Sequence, residues 1–178
     1  MELRKANESE IDCVMDILLD GKESLRRQGL DQWQGKGYPA RAIVAADVAN
    51  GVSYVIESPQ GHLAATCMIS FDGEPDYDEI DGAWLTSGTS KSPTYAVMHR
   101  VAVAADSTGR GFARCLLEEG LRIAHQGGAE SLRVDTHPGN APMLSLLRSS
   151  GFSECGIIRI KHADGGIPER IAFEQMVR

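Results

Sequence analysis

Tyr95–Ala124, YAVMHRVAVAADSTGRGFARCLLEEGLRIA, decides how the rest of the chain is read. Tyr95–Val103 is rich in β-branched and aromatic residues, the composition of a mostly buried strand. Ala104–Thr108 is small and polar, and Gly109-Arg110-Gly111-Phe112-Ala113 opens a helix. In that helix Ala113, Leu116, Leu117, Leu121 and Ala124 share one side, and Arg114, Glu118 and Arg122 the other at i,i+4. A strand feeding a glycine-rich helix start suits an anion. The first backbone N–H groups lack helical partners, the dipole is positive there, and glycine allows close approach.

Spacing narrows the choice of anion. A nucleoside-triphosphate loop needs Lys-Ser/Thr after its last glycine, and Phe112-Ala113 stand there instead. A dinucleotide fingerprint needs a third glycine after the first strand of the chain; this stretch lacks it and lies past mid-chain.

Composition excludes other classes. The formal net charge of −7 argues against nucleic acid as the main partner. No apolar run has the length to span a bilayer, so no membrane partner is expected. The polar start MELRKANESE has no signal-peptide core, and a cytoplasmic location is expected. Cys13, Cys67, Cys115 and Cys155 are scattered through apolar segments and read as buried free thiols, not metal ligands. The five histidines show no ligand pairing, so no metal is expected.

Along the chain, Glu2–Ala6 reads as a strand and Asn7 with Glu10 as a capping box. Ile11, Val14, Met15 and Leu18 stripe a helix reaching about Gln28, and Pro39–Asn50 reads as a second helix. The intervening loop holds Trp33 and Tyr38, which either anchor it on the core or line an acceptor pocket. Val52–Glu57 and His62–Phe71 form a hairpin across Ser58–Gly61. Asp72–Asp81, DGEPDYDEID, is six-tenths acidic: a solvated loop, or a rim that attracts a cationic amine. Gly82–Leu85, with Trp84, reads as a brief strand, and Thr86–Pro93 as a linker. Ser131–Asp135 is a strand, Asn140 caps a short helix, and Phe152–Ile160 and Arg170–Val177 are the last strands, with a loop over His162–Gly166 between them.

The order β, α, α, β, β, β, α, β, α, β, β resembles the GNAT superfamily of N-acetyltransferases over about residues 2–178, read as one domain. Thr108-Gly109-Arg110-Gly111-Phe112-Ala113 is similar to that family's Gln/Arg-x-x-Gly-x-Gly/Ala segment, with Thr108 at the first position as a departure. Asn140-x-x-Met143 through Gly151-Phe152 resembles the segment N-x-x-A-x-x-x-Y-x-x-x-G-F. The resemblance implies an α/β (α+β) fold, a mixed central sheet flanked by about four helices.

It also implies acetyl-CoA as co-substrate and direct acetyl transfer to the primary amine of a small molecule or peptide terminus. Dimers are frequent in the family, and the terminal strand Arg170–Val177 offers an edge for a homodimer. By the resemblance, Thr108, Gly109, Arg110, Gly111, Phe112 and Ala113 bind the pyrophosphate, with the Arg110 side chain either adding charge there or pointing into solvent. Backbone groups of Val101 and Val103 hold the pantetheine arm and thioester, and Asn140 contacts that arm or is a plain helix cap. His99 is the leading candidate for the base, against a role as a satisfied strand residue; Glu79, Asp81 and His137 are alternatives. The family's tyrosine acid falls on Leu147, which leaves Tyr95, Tyr38 or water as donor, or a thiolate that departs unassisted. Trp33, Tyr38, Trp84 and His137 are candidate acceptor contacts. The competing reading is a non-catalytic acyl-CoA-binding sensor or interaction module.

Overall fold

The computed structural model describes residues 2–161 and 166–177. Of the loop read over His162–Gly166, all but Gly166 lies outside the described residues. Among the described residues eight strands form one sheet in the order β1-β2-β3-β5-β6-β8-β7-β4, with four α-helices on its faces. The strands are β1 Leu3–Lys5, β2 Ser53–Glu57, β3 Leu63–Ser70, β4 Ile80–Gly82, β5 Tyr95–Val103, β6 Ser131–Thr136, β7 Ser153–Arg159 and β8 Glu169–Met176. The helices are α1 Ile11–Arg27, α2 Arg41–Ala49, α3 Phe112–Gln126 and α4 Ala141–Ser149. This is the mixed α/β sheet that the order of elements predicts.

Asn7 and Glu10 form the expected capping box around a 3-10 turn, Glu8–Glu10, that leads into α1. Cys13 falls outside α1's buried stripe of Ile11, Val14, Ile17, Leu18 and Leu25 and is exposed, and Cys115 is half-buried, so the expectation of buried thiols holds at Cys67 and Cys155 and fails at the other two. On α3 the charged face is also wired differently from expectation. Arg122 pairs with Glu119, and Arg114 reaches Ser149 and Ser150 at the end of α4.

Six strand pairs are antiparallel; β5 and β6 are parallel, joined by the α3 crossover. Their ladder covers only Tyr95–Val97 against Ser131–Arg133. Beyond it β5 continues against β3 alone and β6 against β8 alone. The two strands therefore part halfway along.

A bulge in β5 coincides with the parting. Thr66 and Met68 of β3 face Ala102 and His99, so β5 carries one residue more than its partner there. Arg100 takes φ 53°, a left-handed conformation uncommon for a side-chain-bearing residue, and its guanidinium is held by Asp47 of α2 at 2.5 Å. The extra residue reverses the alternation of faces. Before it Ala96 and Met98 enter the core with α3 and α4; after it Val101 and Val103 do, while Ala102 and Ala104 turn to α1 and α2.

On that second face α1 and α2 cover one half of the sheet. The other half is roofed by the connection from β3 to β5, which travels to the far edge, forms β4 beside β7, and returns. Tyr77 in its middle is 1% exposed and packs with Tyr95, Val97, Cys155, Ile158 and Ala172. The acidic stretch is thus a covering segment, not a solvated loop: around the buried Tyr77 most of its carboxylates face solvent, while Glu74 turns inward to His99.

A buried ion pair pins this roof. Arg133 of β6 and Glu174 of β8, 1% and 0% exposed, meet at 3.1 Å. Arg133 lies between the rings of Trp84 and Tyr95, 4.3 and 3.7 Å from their centroids, and donates to the carbonyls of Thr86 and Gly88. Glu174 accepts from Leu85 N–H and Thr86 N–H. The strand expected over Gly82–Leu85 lies instead over Ile80–Gly82, and beyond it the Leu85 amide donates to that carboxylate rather than to β7. β8, read as a free terminal edge, is flanked by β6 and β7, so it has no open side for a second subunit. Glu174→Ala leaves a guanidinium buried without its carboxylate and should cost about 3–5 kcal/mol in urea unfolding. A loss below about 1 kcal/mol contradicts the pinning role.

Candidate functional site

The C-terminal ends of β5 and β6 lie side by side where the strands part, and the loops leaving them begin α3 and α4. A crevice of this kind, outside the carboxyl ends of adjacent parallel strands, is where α/β sheets bind ligands. Ala104–Thr108 makes a 3-10 turn, tied to α1 by Ala105 N–H to Asp20 and closed by Thr108 Oγ1 donating to the Ala104 carbonyl at 3.3 Å. Thr108 thus staples its own turn. Gly109 and Gly111 take φ 78° and 86°, and a Cβ built on either meets no atom within 4 Å. Gly111 is the N-cap of α3 and supplies no side-chain hydrogen bond; the first backbone bond runs from Cys115 N–H to Gly111 C=O. The N–H groups of Phe112, Ala113 and Arg114 precede that bond and point out of the helix start. The Phe112 side chain is core, so its part here is its amide alone, whereas Arg110 is exposed beside the loop. An open, uncapped, glycine-bearing helix start suits a phosphate-bearing ligand.

Between the halves of the second face, at the level of the parting, stands His99. Its Nε2 lies 3.1 Å from Glu74 Oε2 and its Nδ1 3.6 Å from Asp135 Oδ1. Asp135, across the gap on β6, accepts a hydrogen bond from Tyr77 Oη at 2.7 Å. Burial first, and then Asp135, push the Tyr77 phenol well above its ordinary value, so it stays a neutral donor. The side chains of His99, Glu74 and Asp135 are 25%, 27% and 10% exposed, open enough for a small ligand to reach the group. Tyr95 lies four residues before His99 on β5, buried, with its hydroxyl accepting from Glu74 N–H. It positions the segment carrying Glu74, and burial raises its phenol too.

The remaining candidates are spread out. Trp33 is buried, its ring against Gly21 of α1 and Ala102 of β5, with Tyr38 at 6.0 Å between centroids. Lys22 holds the Tyr38 carbonyl at 2.6 Å, so this loop is anchored on α1. His137 is 8% exposed: Nδ1 accepts from Gly139 N–H and Nε2 meets Asp31 at 3.0 Å. A ring nitrogen that accepts a backbone N–H is unprotonated, so Nε2 is the donor to Asp31, and the histidine ties the aromatic loop to the end of β6. Trp84 stacks on Tyr77 and Arg133 within the roof. Asn140 caps α4 through Met143 N–H and donates to Thr136 Oγ1, so both ends of its amide are engaged. Glu79 and Asp81 belong to the far-edge excursion: Glu79 faces Lys161, and Asp81 pairs with Ile157 in β4. Leu147 is wholly buried in the main core. No group of three or more His, Cys, Asp or Glu side chains suited to a metal exists among the described residues.

The acetyltransferase (GNAT) family model matches residues 18–152. The chain belongs to the GNAT acetyltransferase family. A GNAT-family acetyltransferase structure from Streptococcus agalactiae is similar at 28% identity and TM-score 0.86, covering 99% of this chain and 95% of that one. A GNAT-family structure from Listeria monocytogenes is similar at 16% identity and TM-score 0.70, covering 98% and 93%. A ribosomal-protein-alanine N-acetyltransferase from Brucella melitensis is similar at 18% identity and TM-score 0.66, covering 99% of both chains. The last two show the shared fold. No curated protein matches the chain by sequence. No helix among the described residues is long and apolar enough to cross a membrane.

Glu74, Tyr77 and Asp135 were not singled out by sequence reading. Two of them lie in the acidic stretch, where an aromatic among six carboxylates was the available signal. Because His137 joins two loops through opposite ring nitrogens, His137→Ala should release Asp31 and Gly139 together. Amide hydrogen exchange over residues 31–38 should then quicken about tenfold or more. Unchanged exchange there means that Lys22 and the Trp33 packing hold the loop by themselves.

Proposed function

We propose that residues 1–178 form one cytoplasmic, acetyl-CoA-dependent N-acetyltransferase domain that acts on a primary amine of a small molecule or peptide terminus. The observation that carries this reading is the parting of β5 from β6, with an open glycine-bearing helix start at one end of the gap and His99 beside it. Backbone N–H groups of Gly109–Ala113 would hold the pyrophosphate, with Arg110 adding charge at its rim. Val101 and Val103 lie on the part of β5 that β6 leaves, and their backbone groups would pair with the pantetheine arm and polarise the thioester carbonyl.

Acetyl-CoA supplies an acetyl group already activated as a thioester. His99 removes a proton from the acceptor nitrogen as that nitrogen forms the amide bond. A cationic acceptor sheds two protons in all: one passes to solvent to free the attacking lone pair, and the one that His99 takes as the amide forms balances the one gained by sulfur when the C–S bond breaks. An ordinary thiol pKa near 8.5 makes the thiolate a tolerable leaving group, so Leu147 in the tyrosine position does not block the reaction. Glu74 and Asp135 give the gap a negative lining that favours a cationic acceptor.

The burial of Leu147 supports a second reading, an acyl-CoA-binding sensor without catalysis. Calorimetry with acetyl-CoA and a panel of amines with a thiol-reactive reporter separate the two. The enzyme reading expects cofactor binding and thiol release with at least one amine. Binding without release across the panel favours the sensor, and no binding removes both. His99→Gln should lower kcat about 10²-fold or more while acetyl-CoA affinity stays unchanged. An undiminished kcat takes His99 out of the base role.

A further inference from the structure

We infer that Glu74, Asp135 and Tyr77 are positioning residues that prepare His99 on its two sides. Glu74 fixes the imidazole with Nε2 protonated, and the Tyr77–Asp135 pair faces Nδ1 to hold the charge that arises there. This inference rests on the reading of His99 as base in the preceding subsection.

The assignment of protons follows from the partners. An ionised carboxylate only accepts, so at 3.1 Å from Glu74 Oε2 the His99 Nε2 must carry hydrogen. In a neutral imidazole the lone pair is then at Nδ1. Asp135 Oδ1 is 3.6 Å from Nδ1, too long for a direct hydrogen bond, while Tyr77 Oη donates to that same oxygen at 2.7 Å. Nδ1 can therefore accept a proton from a ligand, and the imidazolium so formed lies between two carboxylates. Asp135 Oδ1 keeps lone-pair capacity beyond the one that Tyr77 uses, so it remains able to meet the new N–H.

The two sides are built by different parts of the chain, so they can be tested separately. Asp135 is set by β6, directly across the gap from β5. Glu74 arrives on the roof, where its backbone N–H donates to Tyr95 Oη and its carboxylate caps the 3-10 turn Pro75–Tyr77 through Asp76 N–H. Tyr77 closes that turn and stands edge-on to His99, 6.0 Å between ring centres. One short turn thus delivers both the Nε2 acceptor and the hydroxyl that orients the Nδ1 carboxylate. This is the logic of a base oriented by a third group, with the acid on each nitrogen supplied by a different element.

Long-range 1H–15N correlation spectra of the full-length protein, with His99 assigned from His99→Gln, read the tautomer without any substrate. The neutral ring should be the Nε2–H form in the wild type. It should become a mixture in Glu74→Ala, which removes the acceptor at Nε2. Asp135→Asn should keep the tautomer yet lower kcat about tenfold or more, with the KM for acetyl-CoA unchanged. Tyr77→Phe should move kcat in the same direction, with near-UV circular dichroism confirming that the roof is intact. An Nδ1–H ring in the wild type, or a tautomer indifferent to Glu74→Ala, overturns the assignment to Glu74. An undiminished kcat in Asp135→Asn overturns the assignment to Asp135. If His99→Gln alone keeps full rate while the tautomer shifts with Glu74, the base reading falls and the positioning geometry stands.

Discussion

β5 can satisfy its backbone on both sides only over Tyr95–Val97, and the rest of the molecule is arranged around that limit. A buried strand edge without a partner is costly, because each orphaned N–H or C=O forfeits hydrogen bonds that water would have supplied. A sheet that parts in its middle therefore needs a reason, and a ligand with its own amide groups is one. The bulge at Arg100 is the companion device. It changes which face each later residue of β5 serves, so His99 can face the gap on one side while Val101 and Val103, two and four residues on, pack with α3 on the other. The left-handed conformation of Arg100 is tolerated because Asp47 anchors the side chain on α2.

The second constraint is the Arg133–Glu174 pair. Two charges this deeply buried gain little over well-packed apolar side chains of similar volume, so stability alone does not account for them. Their hydrogen bonds go almost wholly to the roof: the amides of Leu85 and Thr86 and the carbonyls of Thr86 and Gly88. The pair registers an irregular segment against the sheet, which apolar contacts could not do with comparable direction. That registration bears on chemistry, because the same segment carries Glu74 and Tyr77 to His99.

The local features were legible, and the long-range ones were not. The capping box at Asn7, the hairpin around Ser58–Gly61 and the glycine-bearing start of α3 are all decided within a few residues, so spacing reveals them. His99 could be flagged because a histidine in an apolar strand needs a partner. Its partners could not be named: Glu74 is 25 residues away and Tyr77 reaches Asp135 over 58. The same gap explains the misplaced terminal edge. Nothing local in Arg170–Val177 tells that β8 inserts between β6 and β7. One long-range signal did stand in plain view: Arg133 and Glu174 each interrupt an apolar strand, and opposite charges in two buried strands have little choice but each other.

The departure at Leu147 is best understood against this division of faces. Helix α4 has an entirely apolar commitment to the main core at that position, and its cap, Asn140, closes on Met143 and Thr136. The polar groups near the gap come instead from the opposite face, through β5, β6 and the roof. His99 and Asp135 stand on either side of the gap, on β5 and β6. The roof segment crosses four strands before returning, and it is there that a chain of this fold can add polar groups without disturbing the core. Glu74 and Tyr77 occupy that position, so the connection from β3 to β5 brings polar groups to His99 from outside the regular elements.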